Sequence, residues 1–205
     1  MPYSEESEQI KAEHLLGKEM ANRLRAAAGG LQSYGDIVAL YALGELVSGD
    51  SASNIVEVGT GAGISGATLL LAAPKATLLT IDSYATPAIY PASCTRQRAE
   101  KLYADLGLTQ RVTHCQMPSD EAAQRIPLES ADLVWIDGNH DYEQVMRDIV
   151  NYWPRVRIGG YLSGHDYAAC TPGVVRAVSE WNRTEPLFRF EKSSVFFVRK
   201  RKGQQ

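Results

Sequence analysis

The stretch "DLVWIDGNHDYEQV" (132–145) carries an apolar, strand-like run onto Asp137, and His140 and Asp141 follow within four residues. A second stretch, "GGYLSGHDY" (159–167), ends in a similar way on His165 and Asp166. Carboxylates and imidazoles at the ends of buried strands can bind a cation or move a proton. Two carboxylates facing one site repel unless something positive lies between them. A hard divalent ion such as Mg2+ takes oxygen ligands, often only one or two of them from the protein. Histidine changes charge near neutral pH, which suits it to accept a proton from a reacting group. Each residue also has a plainer role. Asp137 and Gly138 could form a strand-end turn, His140 could be a hydrated loop residue, and Asp141 reads best as a helix N-cap. His114, in mid-strand, reads as structural, and His14 as a surface or boundary residue.

A third stretch, "EVGTGAGISG" (57–66), places Gly59, Gly61, Gly63 and Gly66 in a strand-to-helix turn. Such a turn lets a ligand approach the backbone closely. Gly61, Gly63 and Gly66 spell GxGxxG, the dinucleotide pattern, which is weak on its own. Glu57, two residues before Gly59, makes the wording ExGxGxG, one frame off for a phosphate cradle, and favours a different ligand. Asp82 closes the next strand in "LLTIDSY", where a carboxylate could accept both hydroxyls of a vicinal diol. A dehydrogenase would also place an acid there.

The elements that must position these residues follow from periodicity. Residues 4–27 read as one amphipathic helix with Ile10, Leu16, Met20 and Leu24 near helical spacing, ending at Gly29-Gly30. Ser33 to Asp36 resembles a capping box with Asp in the Glu position, opening an almost wholly apolar helix through "IVALYALGELV". From residue 54 strands alternate with helices: "NIVEV", "ATLLTID", "RVTHCQM", "DLVWID" and "GGYLSGH" are the strands. Thr171-Pro172 should cap a helix bearing Val174, Val175, Val178 and Trp181. "PLFRFEK" and "SSVFFVRK" read as two antiparallel strands. This alternation implies an α/β fold: a three-layer, doubly wound, mostly parallel sheet with an antiparallel C-terminal strand and added N-terminal helices. The chain is expected to be one domain over 1–205, with 1–50 a helical cap and 51–200 the cofactor-binding and catalytic core. In such sheets ligands bind beyond the carboxyl ends of the strands, where strand order reverses.

With these residues in view, "EVGTGAG" resembles the first motif of class I S-adenosylmethionine-dependent methyltransferases, which have a Rossmann-like fold. The resemblance implies that the loop with Gly59, Thr60, Gly61 and Gly63 passes under the amino-acid end of S-adenosylmethionine, with Glu57 helping to fix its ammonium. It implies that Asp82, with Ser83 beside it, holds the ribose, that Ser119 in "QMPSDEAA" is the polar contact to adenine, and that Asp137 borders the cofactor. Met117 stands where the family often has glycine. The wording "IDGNHDYEQVMRDI" with "GGYLSGHDY" and "GVVRAV" is similar to metal-dependent small-molecule O-methyltransferases, of the catechol type and closest to those acting on sugars and natural products. That resemblance makes Asp137 and Asp166 ligands of Mg2+ and His140 the general base. The catechol type carries a second ligand after the fifth-strand acid, where this chain has Tyr167. The third ligand therefore stays open between His165, Asp141 and water. Tyr84 and Tyr90, in the long loop 83–95, are expected to border the acceptor, together with Tyr34 and Tyr167.

The expected activity is methyl transfer to a hydroxyl of a small molecule. The alternatives are a metal-independent N- or C-methyltransferase, an NAD-dependent oxidoreductase using the GxGxxG, and a non-catalytic binding module. Composition agrees with an ordinary globular enzyme. The 205 residues are 44% hydrophobic and 22% charged with net charge −3, so no basic excess calls for nucleic acid, and "VRKRKG" reads as a solvated end. Apolar runs fall far short of the roughly 20 residues that span a bilayer. The acidic start "MPYSEESEQI" is not expected to be a secretory signal, and three scattered cysteines read as reduced thiols. A cytoplasmic location is expected, and a homodimer is compatible with the sequence, which does not settle oligomeric state.

Overall fold

The β-branched runs pair into one sheet. β1 (Asn54–Val58), β2 (Thr77–Ile81), β3 (Val112–Cys115), β4 (Ala131–Ile136) and β5 (Val156–Gly164) lie parallel. β7 (Phe196–Arg199) pairs antiparallel with β5, and β6 (Phe188–Arg189) antiparallel with β7, giving the order β3-β2-β1-β4-β5-β7-β6. The chain runs outward from β1 to β3 and returns to β4 beside β1, so the strand order reverses between β1 and β4. A crevice at the carboxyl ends is expected there. The computed structural model describes residues 5–49, 51–85, 94–182 and 186–203, and Tyr90 lies outside them.

Register brings the chemistry to one level. Val58 pairs with Ile81 on one side and Ile136 on the other, and Ile136 pairs with Gly164. The ladder continues one rung further: Gly59 N–H donates to the Ile81 carbonyl (2.8 Å), Asp137 N–H to Val58 (2.7 Å) and His165 N–H to Ile136 (3.2 Å). Asp82, Gly59, Asp137 and His165 therefore leave the sheet together. Side chains alternate across the sheet. Ile55, Leu133 and Trp135 enter one core, and Val56, Val58, Val134 and Ile136 enter the other. The first core is covered by α1 (Glu5–Leu16), α2 (Lys18–Ala28), α3 (Tyr34–Val47), α4 (Ile64–Ala72) and α5 (Arg96–Asp105). The second is covered by α6 (Ser119–Ala123), α7 (Tyr142–Tyr152) and α8 (Pro172–Trp181). No helix among the described residues is long and apolar enough to cross a membrane.

Three expectations about helix ends are corrected or refined. The helix read over 4–27 is two helices, because Gly17 sits at φ 81° between α1 and α2. Ile10, placed on the apolar stripe by periodicity, is 62% exposed, and α1 buries Ala12 and Glu8 instead. Thr171 occupies the N-cap position of α8, but its hydroxyl turns back to the carbonyls of Asp166 and Ala168. Asp141 is likewise the N-cap residue of α7 without a side-chain capping bond. The capping box at Ser33 and Asp36 forms in full, with Asp36 N–H donating to Ser33 Oγ (3.2 Å) and Ser33 N–H to Asp36 Oδ2 (2.8 Å).

The last glycine of the GxGxxG is a packing residue. A Cβ on Gly66 would collide with the Tyr103 hydroxyl and come within 2.5 Å of Leu78 Cδ2 and 2.9 Å of Glu57 Oε2. None of these neighbours is at the surface, so none can swing clear. Overpacking of this kind typically costs about 1–3 kcal/mol. Urea titration of Gly66→Ala should show a loss in that range, and an unchanged midpoint would contradict this packing.

Candidate functional site

Beyond the carboxyl ends of β1, β2 and β4 lies a cavity of about 550 Å³. Gly59 forms part of its wall, at φ 94°, and a Cβ there would collide with the Asp137 carbonyl. Only a residue without a side chain lets the turn rest against β4. Asp82, Ser83 and Tyr84 form the wall after β2. Asp82 Oδ2 accepts the Gly61 N–H at 3.0 Å and Oδ1 the Tyr84 N–H at 2.8 Å. Each carboxylate oxygen has a second lone pair, so both can still accept from a diol. At another part of the wall Ser119 Oγ donates to Asp148 Oδ1 (2.6 Å), and Gln144 Nε2 donates to both (3.2 and 3.0 Å). Burial pushes the Asp148 carboxyl up to about 6, against the hydrogen bonds from Ser119 and Gln144. Asp148 and Gln144 were not singled out from the sequence. The available signal was an acid inside the buried stripe Val145, Asp148, Ile149, Tyr152 of α7.

Several expected contacts stand elsewhere. Glu57 does not line the cavity. By alternation it shares the face of Ile55, and it is fully buried, accepting hydrogen bonds from Ser65 and Thr80 hydroxyls. Burial pushes its carboxyl up to about 7, more than the two hydroxyls lower it. The Thr60 hydroxyl pairs with that of Thr80 (2.6 Å), Gly63 caps α4 against Ala99, and Gly61 contributes through its N–H to Asp82. The Tyr34 hydroxyl donates to Asn22 Oδ1 (2.7 Å). The Tyr167 ring packs on Phe196, and its hydroxyl meets Ser179 Oγ (3.0 Å). Neither tyrosine lines the cavity beside Asp82. Tyr84 does, and burial raises its phenol.

The acids after β4 and β5 do meet. Asp137, His140 and Asp166 each offer an atom such that all three lie within 4.8 Å of one another. His140 Nε2 is 2.9 Å from Asp166 Oδ2 and 3.8 Å from Asp137 Oδ1. His165, only 7% exposed, places Nδ1 3.3 Å from Asp166 Oδ2 and 3.6 Å from Asp137 Oδ1. Its Nε2 points the other way, 3.3 Å from Oδ1 of Asp36 on α3. Asp166 reaches the cluster from φ 57°, a left-handed backbone that costs a non-glycine residue about 1–3 kcal/mol, although aspartate is among its better occupants. The two imidazoles answer the repulsion between the carboxylates. Asp137 and Asp166 raise His140 to about 10. Burial would raise Asp137 and Asp166, but the two histidines outweigh it and hold both carboxyls below their usual range. His165 is raised in turn, because its carboxylates outweigh the effect of burial. The donor set of two carboxylates and an imidazole suits a small divalent cation. That set includes His140, expected as the base, while His165, expected as a ligand, faces the same two carboxylates from the buried side. Asp141 is exposed and outside the group.

Residues 56–167 match a family model described as a methyltransferase domain. No curated protein matches the chain. Among solved structures, cofactor-bound Rv0187 from MTB has a TM-score of 0.75 at 17% identity, covering 98% of this chain and 99% of that one. A protein from Corynebacterium glutamicum has a TM-score of 0.71 at 17% identity, covering 90% and 91%. The O-methyltransferase NovP has a TM-score of 0.66 at 16% identity, covering 82% and 81%. At these identities the likeness is one of fold.

Glu57 gives this region a pH signature. Its folded carboxyl binds a proton more tightly than the unfolded one, whose ordinary value is 4.5. Stability is therefore fullest below that value and falls as pH rises through the window up to about 7, by an amount on the order of 3 kcal/mol. Glu57→Gln should remove this part of the decline, as read by urea midpoints between pH 4.5 and 8.

Proposed function

This chain belongs to the methyltransferase-domain family, and on that premise we propose that it moves a methyl group from S-adenosylmethionine to a hydroxyl of a small molecule, assisted by a divalent cation such as Mg2+. One observation carries the reading: the group Asp137, His140, Asp166 is continuous with the cavity, because Gly138 and Asn139, between its first two members, line that cavity. A reaction between two bound partners gains most from holding them side by side, and the cavity next to this group could hold both.

The cavity offers what the cofactor needs. Gly59 gives backbone without bulk, Asp82 accepts from a ribose diol, and the Ser119, Gln144 and Asp148 group supplies donors and acceptors for a base. Asp137 and Asp166 would hold the cation, with His140 Nε2 beside them to take a proton. When bound, the cation acidifies an acceptor hydroxyl and fixes its position. A second cavity of about 660 Å³ opens on Asp166 and is the side from which the acceptor would reach the cluster. The presence of an O-methyltransferase, NovP, among structures of the same fold agrees with an oxygen acceptor. His140 Nε2 keeps its proton while Asp137 and Asp166 face it, so it can serve as a base only once those carboxylates are drawn to another charge.

That pairing also supports a second reading. His140 and His165 already balance the two carboxylates, so the cluster could bind an acceptor and handle its proton without a metal. Activity in the presence of a chelator separates the two: undiminished turnover would select the metal-free reading. In either case Asp137→Asn should cut turnover by more than the roughly 10–100-fold typical of losing a metal's outer partner, while S-adenosylhomocysteine still binds by calorimetry. Binding of NAD(H) in place of S-adenosylhomocysteine would overturn the proposal.

A further inference from the structure

We infer that Asp36 is a positioning residue for the cation ligands, acting through His165; the inference rests on the metal-assisted reading. As a helix cap, Asp36 needs only one oxygen, and Oδ2 does that work, accepting from Ser33 N–H and Ser33 Oγ, both at 2.8 Å. Oδ1 is turned inward. It accepts from Ser193 Oγ at 2.7 Å and lies 3.4 Å from Ser194 N, both in the turn between β6 and β7. That turn is pressed against the first turn of α3, where a Cβ on Gly35 would collide with the Lys192 carbonyl. The carboxylate is thus fixed from two elements and has little freedom to move.

The same Oδ1 stands 3.3 Å from His165 Nε2. The His165 ring is buried beside Trp135, centroids 6.1 Å apart, with Asp36 facing one nitrogen and Asp137 with Asp166 facing the other. Among the described residues Nε2 has no well-aligned hydrogen bond, and Asp36 Oδ1 is the carboxylate oxygen set against it. Strand alternation creates the arrangement. His165 leaves the sheet on the face covered by α3, where a buried acid can oppose it. An imidazole whose far nitrogen faces a fixed carboxylate keeps its near nitrogen aimed; partners bonded directly to a ligand typically change metal affinity by about 10–100-fold, and Asp36, one step further out, acts at the low end of that range. Asp36 therefore ties the aim of Asp137 and Asp166 to the N-terminal helical layer and to the C-terminal hairpin.

The test titrates Mn2+ into the full-length wild-type chain, Asp36→Asn and Ser33→Ala by calorimetry, with S-adenosylhomocysteine affinity and melting temperature measured on each. Asp36→Asn should weaken Mn2+ binding by about 10-fold and leave S-adenosylhomocysteine affinity unchanged. Ser33→Ala removes the cap but not the contact with His165, so it should lower the melting temperature and leave Mn2+ affinity intact. If Asp36→Asn does not fold, Asp36→Ser, which retains a hydroxyl for the cap, takes its place. Wild-type Mn2+ affinity in the Asp36 variant would overturn the inference alone. So would a loss of Mn2+ and S-adenosylhomocysteine affinity in step in both variants, which would mark a merely structural role. A wild-type chain that takes no Mn2+ would overturn this inference and the metal-assisted reading together.

Discussion

Two carboxylates set close together at the edge of an apolar sheet repel each other, and the rest of the site is arranged around how that repulsion is met. Asp137 and Asp166 are answered from two directions. His140 approaches with its side chain 45% exposed, while His165, 7% exposed, closes the buried side. The two imidazoles are not equivalent. The outer one can be displaced by a ligand arriving from solvent, whereas the inner one is enclosed by Trp135 and Asp36. Part of the stability of the rim is spent on holding Asp166 in a left-handed backbone, with its carbonyl tied to the Thr171 hydroxyl at the start of α8. Folding tolerates such strain where surrounding contacts over-determine it, which is common at sites that bind something.

The cofactor side of the site follows from a different constraint. Alternation assigns Glu57 to the core under α4, so the acid of the ExGxGxG wording serves the turn from behind. Its hydrogen bonds to Ser65 at the start of α4 and Thr80 in β2 bind together the strands and the helix that frame the glycines. The groups that face the cavity come instead from the loops after β2, β3 and β4 and from helices α6 and α7, at the topological reversal. Rigid strands set the height of these segments.

Much of this was legible in the sequence. Strand texture gave the parallel sheet, the Ser33–Asp36 spacing gave the capping box, and acids at the ends of two strands pointed to the cluster. What stayed hidden was mostly a matter of the third dimension. The capping role of Asp36 could be read, but nothing local says what lies across from its second oxygen. The break at Gly17 was invisible because a lone glycine within a periodic run is often tolerated. Tyr34 and Tyr167 have the right character for an acceptor wall, yet each hydroxyl is taken by a neighbour that only packing reveals. Two features were readable and missed: the parity of Glu57, and Asp148 as an acid within an apolar stripe.

The shared height of Gly59, Asp82, Asp137 and His165 has a consequence for how such a chain can diverge. Adding or deleting one residue within β4 would send Asp137 to the opposite layer, since a slip of one position reverses which side every later side chain occupies. The connections between strands and helices are free to lengthen or shorten without that penalty. Length variation among descendants of this chain should therefore gather in the connections, while the spans from β1 to Gly59 and from β4 to Asp137 keep a fixed residue count even as their apolar letters drift.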